Sequence, residues 1–295
     1  MGPMHRTLPS IWIALFASAC LSTKEPEGTT FALIADCQYA DAETSGAREY
    51  RLSEGKLTRC VEHLNTLELD FVVHLGDFID RDAASFEVVG PIFSGLRAPG
   101  RHVLGNHEFS IADELKPRVH EILGMPARFY EFQQGGWRFL VVDGNELSFY
   151  AHPKGSAEDL ESRRYHAEVV PGGAGWNGAV GPEQLTWIDE RLSAADAAGE
   201  PAILLCHFPI WPEAGHNLWN ASEMRELLAR HPSVAAWVSG HNHAGDHALW
   251  NGIHFWTVRG MLDTEESAYA IVTAKDGRIE SDGFGREPDR VLSVR

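Results

Sequence analysis

The sequence predicts an α/β fold in which two mixed β-sheets pack together with helices flanking them, a four-layer sandwich. Three observations lead there. Short apolar runs such as Phe71-Val72-Val73-His74-Leu75 and His102-Val103-Leu104 stop at glycine and then present Asp, Asn and His, in Gly76-Asp77-Phe78-Ile79-Asp80 and Gly105-Asn106-His107-Glu108. A strand ending this way delivers reactive groups at the carboxyl edge of a sheet. In the first third of the chain such runs alternate with helical patterns, which predicts parallel strands joined by right-handed crossovers. The chain has 295 residues, 44% hydrophobic and 23% charged, which suits one large domain with a full core.

In order, Thr30 to Ala35 forms a buried first strand running into Asp36-Cys37-Gln38-Tyr39. Alternation along an extended segment turns Asp36 and Gln38 one way and Cys37 the other. Tyr50 to Leu67 places Leu57, Cys60, Val61, Leu64 and Leu67 on a helical stripe. Strand Phe71 to Leu75, helix Ala84 to Leu96 and strand Arg101 to Leu104 follow. Glu114 to Leu123 is a helix, and Arg128 to Gln133 pairs with Trp137 to Asp143 across Gly135-Gly136 as a hairpin. Leu147 to Gly178, rich in Gly, Pro, His and charge, is assigned to a long loop over the site. Pro182 opens a helix reaching Ala198, with Leu185, Ile188 and Leu192 inward. Ala202 to His207 is a second buried strand, and Ser222 to Arg230 is a helix with Ser222 as N-cap. Val234 to Ser239 is a strand entering Gly240-His241-Asn242-His243. His254 to Val258, Tyr269 to Thr273 and Arg278 to Gly283 are expected to be antiparallel strands closing a second sheet.

Residues 1–20 read as an export signal. His5 and Arg6 precede the apolar Ile11-Trp12-Ile13-Ala14-Leu15-Phe16, and Ala17-Ser18-Ala19 leads to Cys20. Small residues before a cysteine resemble a bacterial lipobox, so the expected location is exported, either periplasmic or anchored to the membrane through a lipidated Cys20. Residues 21–29 form a polar tether, and residues 30–295 form the folded domain. The net charge of −17, from 25 basic and 42 acidic residues, argues against a nucleic-acid partner. Cys37, Cys60 and Cys206 form no even disulfide framework and read as small buried hydrophobes, with a Cys37–Cys206 bridge left open.

The residues at the strand ends form one constellation: Asp36, Gln38, Asp77, Asn106, His107, His207, His241 and His243. Imidazole with carboxylate and amide oxygen suits Mn²⁺, Fe²⁺, Zn²⁺ or Co²⁺, and no thiolate selects zinc. Two such ions roughly 3.5–4 Å apart, bridged by Asp77 and a water, make a metal-assisted hydrolase.

The order DxQ (36–38), GDxxD (76–80), GNHE (105–108), His207 and GHxH (240–243) resembles the calcineurin-like metallophosphoesterase superfamily. Within it, Gln38 stands where most members place His. Ile34 to Asp41, His207-Phe208-Pro209-Ile210-Trp211-Pro212 and Gly283-Phe284-Gly285-Arg286-Glu287 resemble the manganese-dependent ADP-ribose/CDP-alcohol diphosphatases, over about Thr30 to Leu292. The resemblance implies two divalent ions, manganese foremost. Asp36, Gln38, Asp77 and His243 would hold the first, and Asp77, Asn106, His207 and His241 the second. It implies that His107 faces the scissile phosphate, oriented by Asp80, and that a metal-bridging hydroxide attacks phosphorus in a nucleoside diphosphate-linked small molecule.

Departures from other branches of the superfamily narrow the expectation. Asp80 stands where purple acid phosphatases need Tyr, and Gln38 counts against cyclic nucleotide phosphodiesterases. Tyr39, Trp211 and Trp219 are candidates to stack on the nucleobase, and Arg48 or Arg51 to hold the distal phosphate. The competing readings are a phosphomonoesterase or phosphodiesterase of the same fold, and a binding module that has lost catalysis.

Overall fold

The computed structural model describes Met1, Gly2 and residues 28–294. The export signal, Cys20 and most of the tether lie outside the described residues. The chain begins with β1 (Thr29–Ile34), α1 (Leu52–Leu64), β2 (Phe71–His74), α2 (Ala84–Phe93) and β3 (Gly100–His102). Next come α3 (Val119–Ile122), the hairpin β4 (Tyr130–Gln134) and β5 (Trp137–Val142), then α4 (Ala157–Val169) and α5 (Pro182–Ala198). It continues through β6 (Ala202–Cys206), α6 (Ala221–Ala229), β7 (Val234–Ser239), β8 (Asp246–Trp250) and β9 (Ile253–Thr257). Strands β10 (Ala268–Lys275), β11 (Arg278–Gly285) and β12 (Arg290–Ser293) finish it.

These strands form two six-stranded mixed sheets, in the orders β12-β11-β10-β1-β2-β3 and β4-β5-β6-β7-β9-β8. The expected parallel run β1-β2-β3 is present, and β5, β6, β7 and β9 are parallel in the second sheet. Period-2 alternation in β1 divides its side chains between two cores. Phe31, Leu33 and Ala35 meet Phe139, Val141, Ile203 and Leu205 between the sheets. Ala32 and Ile34 face Leu57, Cys60, Val61 and Leu64 of α1. On the far side, Leu204 and Trp237 pack on Ile188 and Leu192 of α5 and Met224 and Leu228 of α6. The layers therefore run helix, sheet, sheet, helix. Between the sheets, Phe31 stacks on Phe71 at 4.8 Å and meets Phe139 edge-on at 5.4 Å, and each such buried ring contributes about 1.5–3 kcal/mol.

Several local expectations are corrected. The segments from His254 onward do not close one sheet: β9 lies parallel to β7, whereas β10 pairs antiparallel with β1 and β11 and β12 extend the first sheet, each antiparallel to its neighbour. Strand β8, a half-exposed edge strand with no apolar alternation, was not anticipated. The assigned long loop contains α4, whose buried residues are only Asp159 and Ser162, so it has no apolar stripe to detect. Its signal was a cap: Ser156 Oγ accepts from the Asp159 amide at 3.2 Å. Glu114 to Leu123 holds a short 3₁₀ turn and one turn of α-helix rather than a full helix. Asn220, not Ser222, precedes α6, and Leu67 lies beyond α1 and is exposed. Cys37 and Cys60, the latter on α1, lie in the core between α1 and the first sheet, while Cys206 lies in the core under α5 and α6. All three are free thiols, so the Cys37–Cys206 bridge is absent.

Candidate metal centre

The two sheets bring their parallel carboxyl edges to one place. Leu75, after β2, accepts from His207 Nδ1 at 2.8 Å, and the His241 amide donates to the Asp36 carboxylate at 3.1 Å. Glu108, fully buried, joins the two glycine-containing loops by accepting from the amides of Asp77 (2.9 Å), Phe78 and Gly105 (2.6 Å). A Cβ at Gly105 would collide with the Asp77 carboxylate and amide, so only glycine lets these loops close on each other.

Asp36, Gln38, Asp77 and His241 all have left-handed backbones, with φ of 51°, 43°, 55° and 68°. Each costs on the order of 1–3 kcal/mol for a side-chain-bearing residue, a strain that collects at functional sites. This corrects the extended reading of residues 36–38. The turn, rather than alternation, aims Asp36 and Gln38, and Cys37 packs into the helix-side core.

Each of the three ligand-type histidines has one ring nitrogen held by an oxygen. His207 Nδ1–H is taken by Leu75 O, His241 Nε2–H by Asn177 Oδ1 at 2.9 Å, and His243 Nδ1–H by Asp263 Oδ1 at 2.9 Å. The other nitrogens of His207 and His243 turn to the carboxylates, and that of His241 to His207. His207 Nε2 is 3.2 Å from Asp77 Oδ2 and 3.1 Å from His241 Nδ1, and His243 Nε2 is 3.5 Å from Asp36 Oδ1. Asp77, His207 and His241 offer ligand atoms within 4.8 Å of one another.

Two buried oxygens in the same place lack any hydrogen-bond partner, Gln38 Oε1 and Asn106 Oδ1. A buried amide oxygen left unpaired costs about 1–3 kcal/mol, and a hard cation satisfies it. The donor set of carboxylate, amide oxygen and fixed imidazole thus fits divalent ions.

Electrostatics separate the two carboxylates. Burial raises the pKa of Asp36, against the pull of His243 and His207. Asp77 is equally buried, yet His207, His107 and His241 hold it well below the usual carboxylate range. Conversely, burial opposes the charged form of His207, but Asp77 and Asp36 raise it to about 9. Asp77 accepts through both oxygens, from the His107 amide at 2.8 Å and from Gln38 Nε2 at 2.8 Å. The His107 ring reaches Asp80 Oδ1 at 2.8 Å through Nδ1. Burial opposes its protonation, and Asp77 and Asp80 raise its pKa nonetheless.

The opening is a cavity of about 360 Å³ lined by Gln38, Arg48, Asp77, Asn106, His107, Trp176, His216, His241 and His243. A larger cavity of about 640 Å³ around Arg128, Asp143 and Glu146 contains none of the strand-end donors, and Asp143 there is paired with Arg128. Of the five substrate-contact candidates, only Arg48 lines the centre. Tyr39 is buried in the helix-side core, and Arg51 is bound to Asp41 and Glu43 at the surface. Trp211 packs toward Trp250 under Arg225. Trp219 packs on Phe149 and His166, and its Nε1 donates to Ala174 O, so it anchors the segment bearing Trp176.

Trp176, 55% exposed, and His216 also line the cavity and Asp263 stands behind His243, and none of the three is among the sequence candidates. Trp176 directly precedes Asn177, which holds His241, whereas Asp263 carries no motif. His254, on β9, is buried between His247 and Ser293 O.

Residues 29–245 match the family model for calcineurin-like phosphoesterases. The manganese-dependent ADP-ribose/CDP-alcohol diphosphatase of Xenopus laevis is 28% identical over 322 residues, covering 90% of this chain and 90% of that protein. The protein of the same name from Homo sapiens is 27% identical, covering 90% and 93%. A solved dimetal phosphatase from Danio rerio superposes with a TM-score of 0.83 at 25% identity, covering 90% of this chain and 99% of that one. Sequence match, fold and the donors gathered at the sheet edges agree: this chain belongs to the calcineurin-like phosphoesterase family.

Proposed function

We propose that this protein hydrolyses the phosphoanhydride bond of nucleoside diphosphate-linked small molecules, ADP-ribose and CDP-alcohols such as CDP-choline, with two divalent cations, manganese first among them. The observation carrying this reading is the pair of orphaned oxygens, Gln38 Oε1 and Asn106 Oδ1, on residues that line one cavity with Asp77, rimmed by a cation and an indole. The similarity to the diphosphatases of Xenopus laevis and Homo sapiens supports the substrate class.

In this reading Asp36, Gln38, Asp77 and His243 hold one ion and Asp77, Asn106, His207 and His241 the other. Bound there, the ions supply Lewis acidity and a water of lowered pKa. The chain's own residues do the rest. Asp80 fixes the His107 ring and favours its proton, so His107 presents a cationic N–H to the phosphoryl group and can protonate the leaving oxygen. Arg48 at the rim supplies the charge for the second phosphate, and the exposed face of Trp176 a stacking surface for the base. We further propose export with lipidation at Cys20, supported by the apolar leader and its small-residue cleavage site; acyl labelling that persists in Cys20→Ser would exclude it.

The test is turnover with Mn²⁺ of ADP-ribose, CDP-choline, a cyclic nucleotide and p-nitrophenyl phosphate side by side. The reading expects the two diphosphates to lead. Negligible turnover of both, with fast turnover of either other compound, overturns it.

A further inference from the structure

Helix α1 buries Leu57, Cys60, Val61 and Leu64 as its stripe requires, and with them Lys56, only 1% exposed. Lysine is almost never fully buried without a partner. Here the partners are carbonyls of a single turn: Nζ donates to Met261 O at 2.7 Å, Leu262 O at 3.0 Å and Thr264 O at 2.6 Å. An ammonium has three N–H donors, and this turn takes all three. Burial lowers the Lys56 pKa to about 8, which leaves the ammonium form dominant at neutral pH.

The other side of the same turn is sewn to the metal centre. The amides of Met261, Leu262 and Thr264 donate to Ala35 O (2.8 Å), Asp36 O (2.9 Å) and Ala47 O (2.7 Å). Asp263, between them, holds His243 Nδ1 and pairs through its backbone with Arg48. Thr264 sits at a φ of 60°, a conformation its side chain disfavours, so the turn relies on outside contacts to keep its shape.

We propose that Lys56 is a positioning residue for the cation site that includes His243: by closing the carbonyl side of the 261–264 turn it sets the Asp263 carboxylate that orients the His243 ring. The role rests on reading His243 as a ligand. It predicts an effect on one of two ions rather than on stability alone.

The experiment is calorimetric titration with Mn²⁺ of the wild type, Lys56→Met, Asp263→Asn, the double variant and His243→Ala, each with its thermal melt. The expected wild type binds two equivalents, and Lys56→Met weakens one by about 10–100-fold while sparing the other, the range for a partner behind a ligand. Because the effect passes through Asp263, the double variant should lose little more than Asp263→Asn alone. Equal weakening of both equivalents, wild-type affinity at both, or losses that multiply in the double variant overturn the inference. If His243→Ala still binds two equivalents, the ligand reading fails instead. Should Lys56→Met not fold, Lys56→Gln keeps two donors and is expected to give a smaller loss at the same site; no loss there overturns the inference.

Discussion

His107 Nδ1 lies 2.8 Å from Asp80 Oδ1 while its backbone amide donates to Asp77, so one residue is tied to both carboxylates of the GDxxD segment. Asp80 is one of the groups raising the His107 pKa against burial. A group with a raised pKa keeps its proton until the pH climbs past that value. Asp80→Asn should therefore shift the alkaline limb of the kcat–pH profile to lower pH and reduce kcat at neutral pH about 10–100-fold. A limb that stays in place would separate Asp80 from His107 function.

Asp77 and His107 should fail differently. Asp77→Ala removes the carboxylate that the proposed function gives to both ions and should abolish Mn²⁺ occupancy and activity together, read by elemental analysis and turnover. His107→Ala should keep its metal and lose on the order of 10²–10⁴ in kcat. An Asp77→Ala protein retaining both ions would refute the bridging assignment.

Trp176 and Trp211 offer a matched pair. Trp176 lines the cavity and exposes its indole, whereas Trp211 packs toward Trp250. Base stacking is worth about 1–3 kcal/mol, so Trp176→Ala should raise KM for the diphosphates roughly 5- to 150-fold with little change in kcat. Trp211→Ala should leave KM near wild type. Equal KM in both variants would remove Trp176 from base recognition.

His74 and His102, neighbours on β2 and β3, should make the fold acid-sensitive. Both are buried, and three of their four ring nitrogens lack partners. Burial lowers the His102 pKa from 6.5 to about 3. Between those values the unfolded chain takes up a proton that the native state refuses, so stability falls as pH falls, by about 1.4 kcal/mol per pH unit for this one residue. Urea denaturation should show that slope reduced by about that amount in His102→Leu. An unchanged slope would mean that His102 protonates in the folded protein.

Legibility followed chemistry. Buried parallel strands read as continuous apolar runs, so β2, β6 and β7 are legible together with the Asp and His residues at their ends. Helix α4 and strand β8 escaped because neither carries the apolar period that marks an element with a buried face. Trp211 and Trp219 were plausible stacking partners by residue type alone, but type does not say which way a ring faces.

The sequence by itself determined which donor-bearing residues stand at strand ends, because glycine-terminated runs followed by Asp, Asn and His are local patterns. Only the tertiary structure decided that β10, β11 and β12 join the first sheet, that Asp36 and Gln38 turn through left-handed backbones, and that Asp263 stands behind His243. The same holds for the buried Lys56 reaching a turn 205 to 208 residues away. These depend on contacts between distant segments, and their energetics come from burial and hydrogen-bond satisfaction that no local pattern encodes.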